Sequence, residues 1–177
     1  MIRFNLSFLL IFCARLSFGQ AAGVAASIQV PDGNKVILHT YAKGVQVYIC
    51  TQDPKDTSNF TWVLKEPFAD LYADSAHKNP VGKHYFTNGK NPTWESTDGS
   101  KVIGGKLMQV NSPDGSGIPW LLLKATIPSG TGVLSQATFI QRINTKGGKA
   151  PVAANKSLQG QLAKIPYTAE YLFYGKN

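Results

Sequence analysis

Apolar and polar positions trade places every second residue over much of this chain. In residues 45–51, Val45, Val47 and Ile49 alternate with Gln46, Tyr48 and Cys50, and Gln46 is the only strongly polar position. That period of two predicts a strand whose faces differ. Residues 35–41 (KVILHTY) form a second β-branched and aromatic run, joined to the first at Lys43-Gly44. Residues 60–64, 137–144 and 167–174 read the same way. Residues 119–126 (PWLLLKAT) are apolar over a continuous stretch, as expected of a strand covered on both faces. The one helix candidate is residues 157–164.

Gly, Pro, Asn and Asp clusters punctuate the chain every ten residues or so. The stretch 82–105 contains two tight turns with their flanking strands. An internal echo links Ala69-Asp70-Leu71-Tyr72, followed by Val81-Gly82, to Thr93-Trp94-Glu95, followed by Ile103-Gly104. Both read strand, polar turn, β-branched residue, glycine, which predicts consecutive hairpins with a close backbone approach at each glycine. The expected fold is all-β: one domain over residues 26–175, an antiparallel β-sandwich or a small β-barrel.

The first 21 residues stand apart. A basic start, an apolar run at residues 4–12 and small residues at Ser17, Gly19, Ala21 and Ala22 have the layout of a secretory signal peptide, with cleavage between Gly19 and Ala22. That run is shorter than the roughly 20 residues needed to span a bilayer, and no other segment is longer. The expected location is extracellular. Loss of Arg3 and Arg15 with the signal leaves 16 basic residues against 10 acidic, so +8 becomes +6. The lysines are scattered singly, which argues against a nucleic-acid patch. Cys13 leaves as well, so Cys50 has no thiol partner within the chain. Asn59-Phe60-Thr61 and Asn155-Lys156-Ser157 are glycosylation sequons, each marking a surface loop.

Several motifs fall in one order: residues 44–50 (GVQVYIC), Trp62, residues 69–72 (ADLY), 81–85 (VGKHY), 92–95 (PTWE), 98–100 (DGS), 118–123 (IPWLLL), 140–142 (IQR), 145–151 (TKGGKAP) and Pro166-Tyr167. In this the chain resembles the secreted family known as domain of unknown function 3455, over essentially the whole mature sequence. The resemblance implies no established activity and transfers no catalytic residue. Members often carry a second Cys shortly after the Ala-Pro pair. Here Ala153-Ala154-Asn155 occupies that region, so the resemblance implies that Cys50 lies near Asn155. Some fungal members bear the label malate dehydrogenase. The residues do not support it: Gly130-Thr131-Gly132 lacks the third glycine of a dinucleotide turn and leads into another β-like run. No cofactor is expected.

His39, His77 and His84 show no spacing that places two zinc ligands on one element, so no metal site is expected. His84, Glu95 and Asp98 are the best acid/base trio, with His84 and Glu95 as possible cross-strand partners. The same arrangement would satisfy an ordinary buried histidine, and Asp98-Gly99 suits a type I′ turn. Arg142 is the single arginine beside 15 lysines of the mature chain. A planar five-donor fork points either to an internal pair with Glu95, Glu66 or Asp70, or to a clamp for an anionic ligand. Trp62, Trp94 and Trp120 could offer a stacking surface, and Trp94, amid polar neighbours, has the best claim to a cleft. No Gly-x-Ser-x-Gly nucleophile is present, and Cys50 lacks an adjacent base.

The leading expectation is a secreted, non-catalytic module that binds a sugar, a cell-wall component or a small apolar ligand through Trp94, His84, Glu95 and Arg142. The alternatives are a hydrolase or lyase using His84 and Glu95 with Arg142 as anion clamp, and a structural or defence-related extracellular protein without a small-molecule site. Binding predicts an exposed aromatic face. Catalysis predicts that His84, Glu95 and Arg142 converge.

Overall fold

The computed structural model describes residues 25–177; the expected signal peptide at residues 1–21 lies outside them. Eight antiparallel strands follow one another in chain order: β1 (Asn34–Gln52), β2 (Phe60–Tyr72), β3 (Pro80–Thr87), β4 (Asn91–Ser96), β5 (Lys101–Val110), β6 (Trp120–Ala125), β7 (Phe139–Gly147) and β8 (Leu162–Lys176). β8 returns along β1 and closes the sheet. Of the two β architectures, the chain adopts the barrel, which disposes of unpaired sheet edges by closure.

Period-two alternation sorts the apolar residues into two cores. Ala42, Ala69, Leu71, Trp94, Val102, Leu123, Ile140, Tyr171 and Phe173 pack inside the barrel. Small residues on β1 and β2 leave room for the large rings from β4 and β8. The second core lies on the outer face of β6, β7 and β8, where Trp120, Leu122, Phe139, Ile143, Leu172 and Tyr174 meet Ile28 and Val30. The segment before β1 thus straps the outside of the barrel. Gln141 donates from Nε2 to the Ile28 carbonyl at 2.7 Å and accepts from the Tyr174 hydroxyl at 3.1 Å. This explains the apolar run in residues 119–126: Leu121 and Leu123 face the interior while Trp120 and Leu122 face the strap.

Two local expectations are corrected. Lys43-Gly44 does not join two strands: β1 runs 19 residues through it, because Gly44 is paired to Ala69 on one side and Tyr167 on the other. Residues 157–164 are not a helix. Only Lys156–Leu158 makes a single 3-10 turn, after which Gly160 takes φ +81° and the chain enters β8.

The wall is thinnest on one side. β2 pairs with β3 only from Ala69 to Tyr72, and β4 meets β5 only from Thr93 to Glu95. The barrel interior opens there, between the first half of β2, the tip of the β3–β4 hairpin and the second half of β5.

Candidate functional site

Behind this opening lies a cavity of about 560 Å³. His84 and Trp94 are register partners on β3 and β4, so both project to the interior. Their rings stack with centroids 4.4 Å apart at 11°. His84 Nδ1 lies 2.9 Å from the Thr93 carbonyl oxygen. A carbonyl can only accept, so Nδ1 carries the proton and Nε2 presents a bare lone pair. Burial, reinforced by the Arg142 charge and opposed by the Thr93 bond, pulls the His84 pKa down to about 3. The ring is therefore neutral at physiological pH and is a weak base.

Arg142 stands beside Tyr171 across β7 and β8 and beside Leu121 across β6 and β7. Its Nε and Nη2 both donate to the Pro119 carbonyl, at 3.1 and 2.8 Å. No Asp or Glu reaches the guanidinium among the described residues, and none lines the cavity. The internal pair with Glu95, Glu66 or Asp70 does not form; a backbone carbonyl fixes the fork instead. Among the described residues, none of the fork's other donors meets a carboxylate, and the Tyr171 hydroxyl is the side-chain group in polar contact with it.

Other polar atoms in the same walls are unpartnered. Gln46 Nε2, Trp94 Nε1 and Tyr171 Oη are buried without a hydrogen bond, and all three residues line the cavity. Burial raises the Tyr171 pKa, with the Arg142 charge acting against it. The Tyr167 and Tyr171 hydroxyls make polar side-chain contacts with each other, Tyr167 also with Gln46 and Tyr171 with Arg142, but these contacts fall short of good hydrogen-bond geometry. Buried polar groups are normally satisfied; Thr40 Oγ1, Trp120 Nε1 and Tyr167 Oη, which do not line the cavity, are unpartnered as well. Gln46 had a signal in the sequence as the only strongly polar position of residues 45–51. Tyr171 had one in the Tyr-x-Ala-x-Tyr-x-Phe alternation of residues 167–173.

The other candidates lie elsewhere. Glu95 pairs with Lys83, not His84, in the β3–β4 register. One residue of register moves a side chain to the opposite face, so Glu95 points outward to Lys101 Nζ at 3.1 Å and the Tyr85 hydroxyl at 2.8 Å. The sheet separates it from His84 and Arg142. Asp98 closes the β4–β5 turn: it accepts from Ser100 N at 2.9 Å, Ser100 Oγ at 2.6 Å and Val133 N at 2.8 Å. These bonds, Ser100 first, hold its pKa at about 2. Only Gly99 has positive φ there, so the turn is a three-residue loop with a glycine bulge and not type I′. Trp94 is 1% exposed and packs against His84, Tyr171 and Phe173; the expected exposed aromatic face is an interior one. Trp62 donates to the Ala153 carbonyl at 2.8 Å, and Trp120 belongs to the outer core.

His39 bonds Glu170 at 2.8 Å on the flank, and His77 sits in a loop against Tyr72. Among the described residues, no three His, Cys, Asp or Glu gather as metal ligands. Asn59 and Asn155 are both exposed and border one surface groove. Cys50 is buried, with Sγ 3.9 Å from the Asn155 carbonyl, where the family resemblance implied it would lie.

The architecture is that of an antiparallel eight-stranded barrel with a donor-rich interior cavity. Among the described residues the helical segments are 3-10 turns of three or four residues, and none of them offers a helix N-terminus to hold a dinucleotide pyrophosphate. Residues 31–175 match the family described as a protein of unknown function (DUF3455), and the chain belongs to that family. No curated protein and no solved structure matches it.

Proposed function

We propose that this protein is an extracellular, non-catalytic binding module that takes a small molecule into the barrel. The observation that carries this reading is an open cavity of about 560 Å³ whose walls include Gln46, Trp94, Tyr171 and Arg142, with no acidic residue among them. That volume suits a drug-sized ligand. Acid/base catalysis by His84 and Glu95 gains no support, because the sheet divides the pair and a histidine with a pKa of about 3 is far from the range of an efficient base. Sugar stacking on Trp94 gains little, since His84 already covers one face of the indole.

The test is a thermal-shift screen of the mature protein against sugars, neutral apolar compounds and organic acids, repeated with Leu121→Trp to fill the cavity. A ligand at about a hundred times its Kd should raise Tm by roughly 5–10 °C, and the filled variant should lose the shift. Hits that survive Leu121→Trp unchanged would place binding elsewhere and overturn the reading.

A further inference from the structure

Resting on that reading, we infer that the cavity's ligand is an amphipathic organic monoanion, with its acidic group held by Arg142, Gln46 and Tyr171 and its apolar body lying against Leu64, Phe86, Pro92 and Leu121. The charge balance comes first. Arg142 is the one charged group in the inner lining, and the other two charges, Lys90 and Lys106, are cations on the exposed rim. A half-buried guanidinium without a counter-ion is an incomplete arrangement, since a desolvated charge is stabilised only by a partner. Pro119 fixes the fork's orientation through two donors and neutralises nothing. That holds the remaining donors in place, as a preorganised anion site requires.

Hydrogen-bonding capacity agrees. Gln46 Nε2 and Trp94 Nε1 can only donate, Arg142 can only donate, and the Tyr171 hydroxyl can donate. The bare lone pair of His84 Nε2 and the Gln46 amide oxygen are the side-chain acceptors beside them. With Arg142 and the two rim lysines as the charged groups, the lining favours a guest rich in acceptors, such as a carboxylate, over an ammonium. Arg142 is the single charge of the inner lining, which matches one negative charge at depth. Most of the rest of the lining is apolar, with Leu64, Pro67, Phe86, Pro92 and Leu121 beside the polar Asn91 and Gln109. A small polar anion would leave that surface wet, whereas an anion with a hydrocarbon body covers it. The rim lysines draw such a ligand in at low ionic strength.

The experiment is titration calorimetry of the mature protein with matched pairs: octanoate against octanol, and phenylbutyrate against phenylbutanol. The acids are expected to bind at least tenfold more tightly than their alcohols. Arg142→Gln should bring each pair to equal affinity, and Arg142→Lys should keep part of the difference, with circular dichroism showing both variants folded. If the variants do not fold, the acid–alcohol ratio in the wild type and its decline with added salt decide alone. Alcohols binding as well as acids, or an acid preference that survives Arg142→Gln, overturns the anion assignment and leaves the cavity as a binding site. Failure of all four probes alongside a cavity-dependent hit with a sugar or other neutral compound also overturns the anion assignment alone. Failure of every compound in both experiments overturns the binding reading itself.

Discussion

His84 and Trp94 stack face to face inside the barrel, 4.4 Å between centroids, with the histidine proton committed to the Thr93 carbonyl. The pair shows how the fold makes a polar residue serve as core. Protonating the ring would put a second cation next to Arg142 in a site that water hardly reaches. Folded His84 therefore has a pKa of about 3 against an ordinary 6.5.

That shift gives the protein a pH-dependent stability with a definite sign. Between these two values the unfolded chain binds a proton that the folded chain does not. The contribution is complete above about pH 6.5 and is lost as pH falls toward about 3. Unfolding free energy should drop by up to about 1.4 kcal/mol per pH unit across that window from this group. Urea titrations of the wild type and His84→Gln between about pH 5 and pH 7, above the carboxylate range, should show a slope that the variant lacks. Equal slopes would mean that His84 is not neutralised by burial.

Gly82 and Gly104, the echoed glycines, should respond differently to alanine. A Cβ at Gly82 would lie 2.3 Å from the Glu95 carbonyl oxygen, whereas at Gly104 it would meet the Trp94 ring at 2.9 Å and Leu123 at 3.2 Å. Backbone cannot yield as side chains can. Gly104→Ala is expected to cost about 1–3 kcal/mol, with changed Trp94 emission, and Gly82→Ala more. Chemical denaturation would measure the order; a milder Gly82→Ala would contradict it.

Asp98 ties the β4–β5 turn to the segment before β7 through Ser100 and the Val133 amide. Asp98→Ala should destabilise by about 1–3 kcal/mol, and Asp98→Asn by less. Hydrogen exchange should speed up at the Ser100 and Val133 amides together. Unchanged exchange at Val133 would show that the link does not hold.

The lone thiol should be inert. Cys50 is 1% exposed on β1, behind the loop that carries Asn155. A thiol-reactive disulfide reagent should label it no faster than the protein unfolds, and fully in urea. Rapid labelling in the native state would place Cys50 at the surface.

Strand runs and hairpin turns were legible because period-two patterning and glycine punctuation are local. Closure was not: whether β8 returns to β1 depends on a pairing between residues about as far apart as the described chain allows. The same limit applies to the site. Trp94, His84 and Arg142 stood out by residue type, but Glu95 seemed to belong with them because no local feature reports which of two neighbouring residues faces inward. The β3–β4 register decides that, placing Trp94 inside and Glu95 outside. Gln46 and Tyr171 carried the right signals, yet their roles depend on strands brought together only by the closed sheet. Arg142 illustrates the converse: its rarity marked it out, but the expected carboxylate pair does not form, and only the structure identifies the anchor as the Pro119 carbonyl.

The most direct test of a ligand site inside the barrel is the indole N–H spectrum of the three tryptophans during titration with octanoate. Trp94 lines the cavity, Trp120 lies under the outer strap and Trp62 caps the loop at Ala153. The Trp94 resonance is expected to move in a saturable way while the other two stay still. A Trp94 signal that stays fixed while Trp62 or Trp120 shifts would contradict a ligand site inside the barrel.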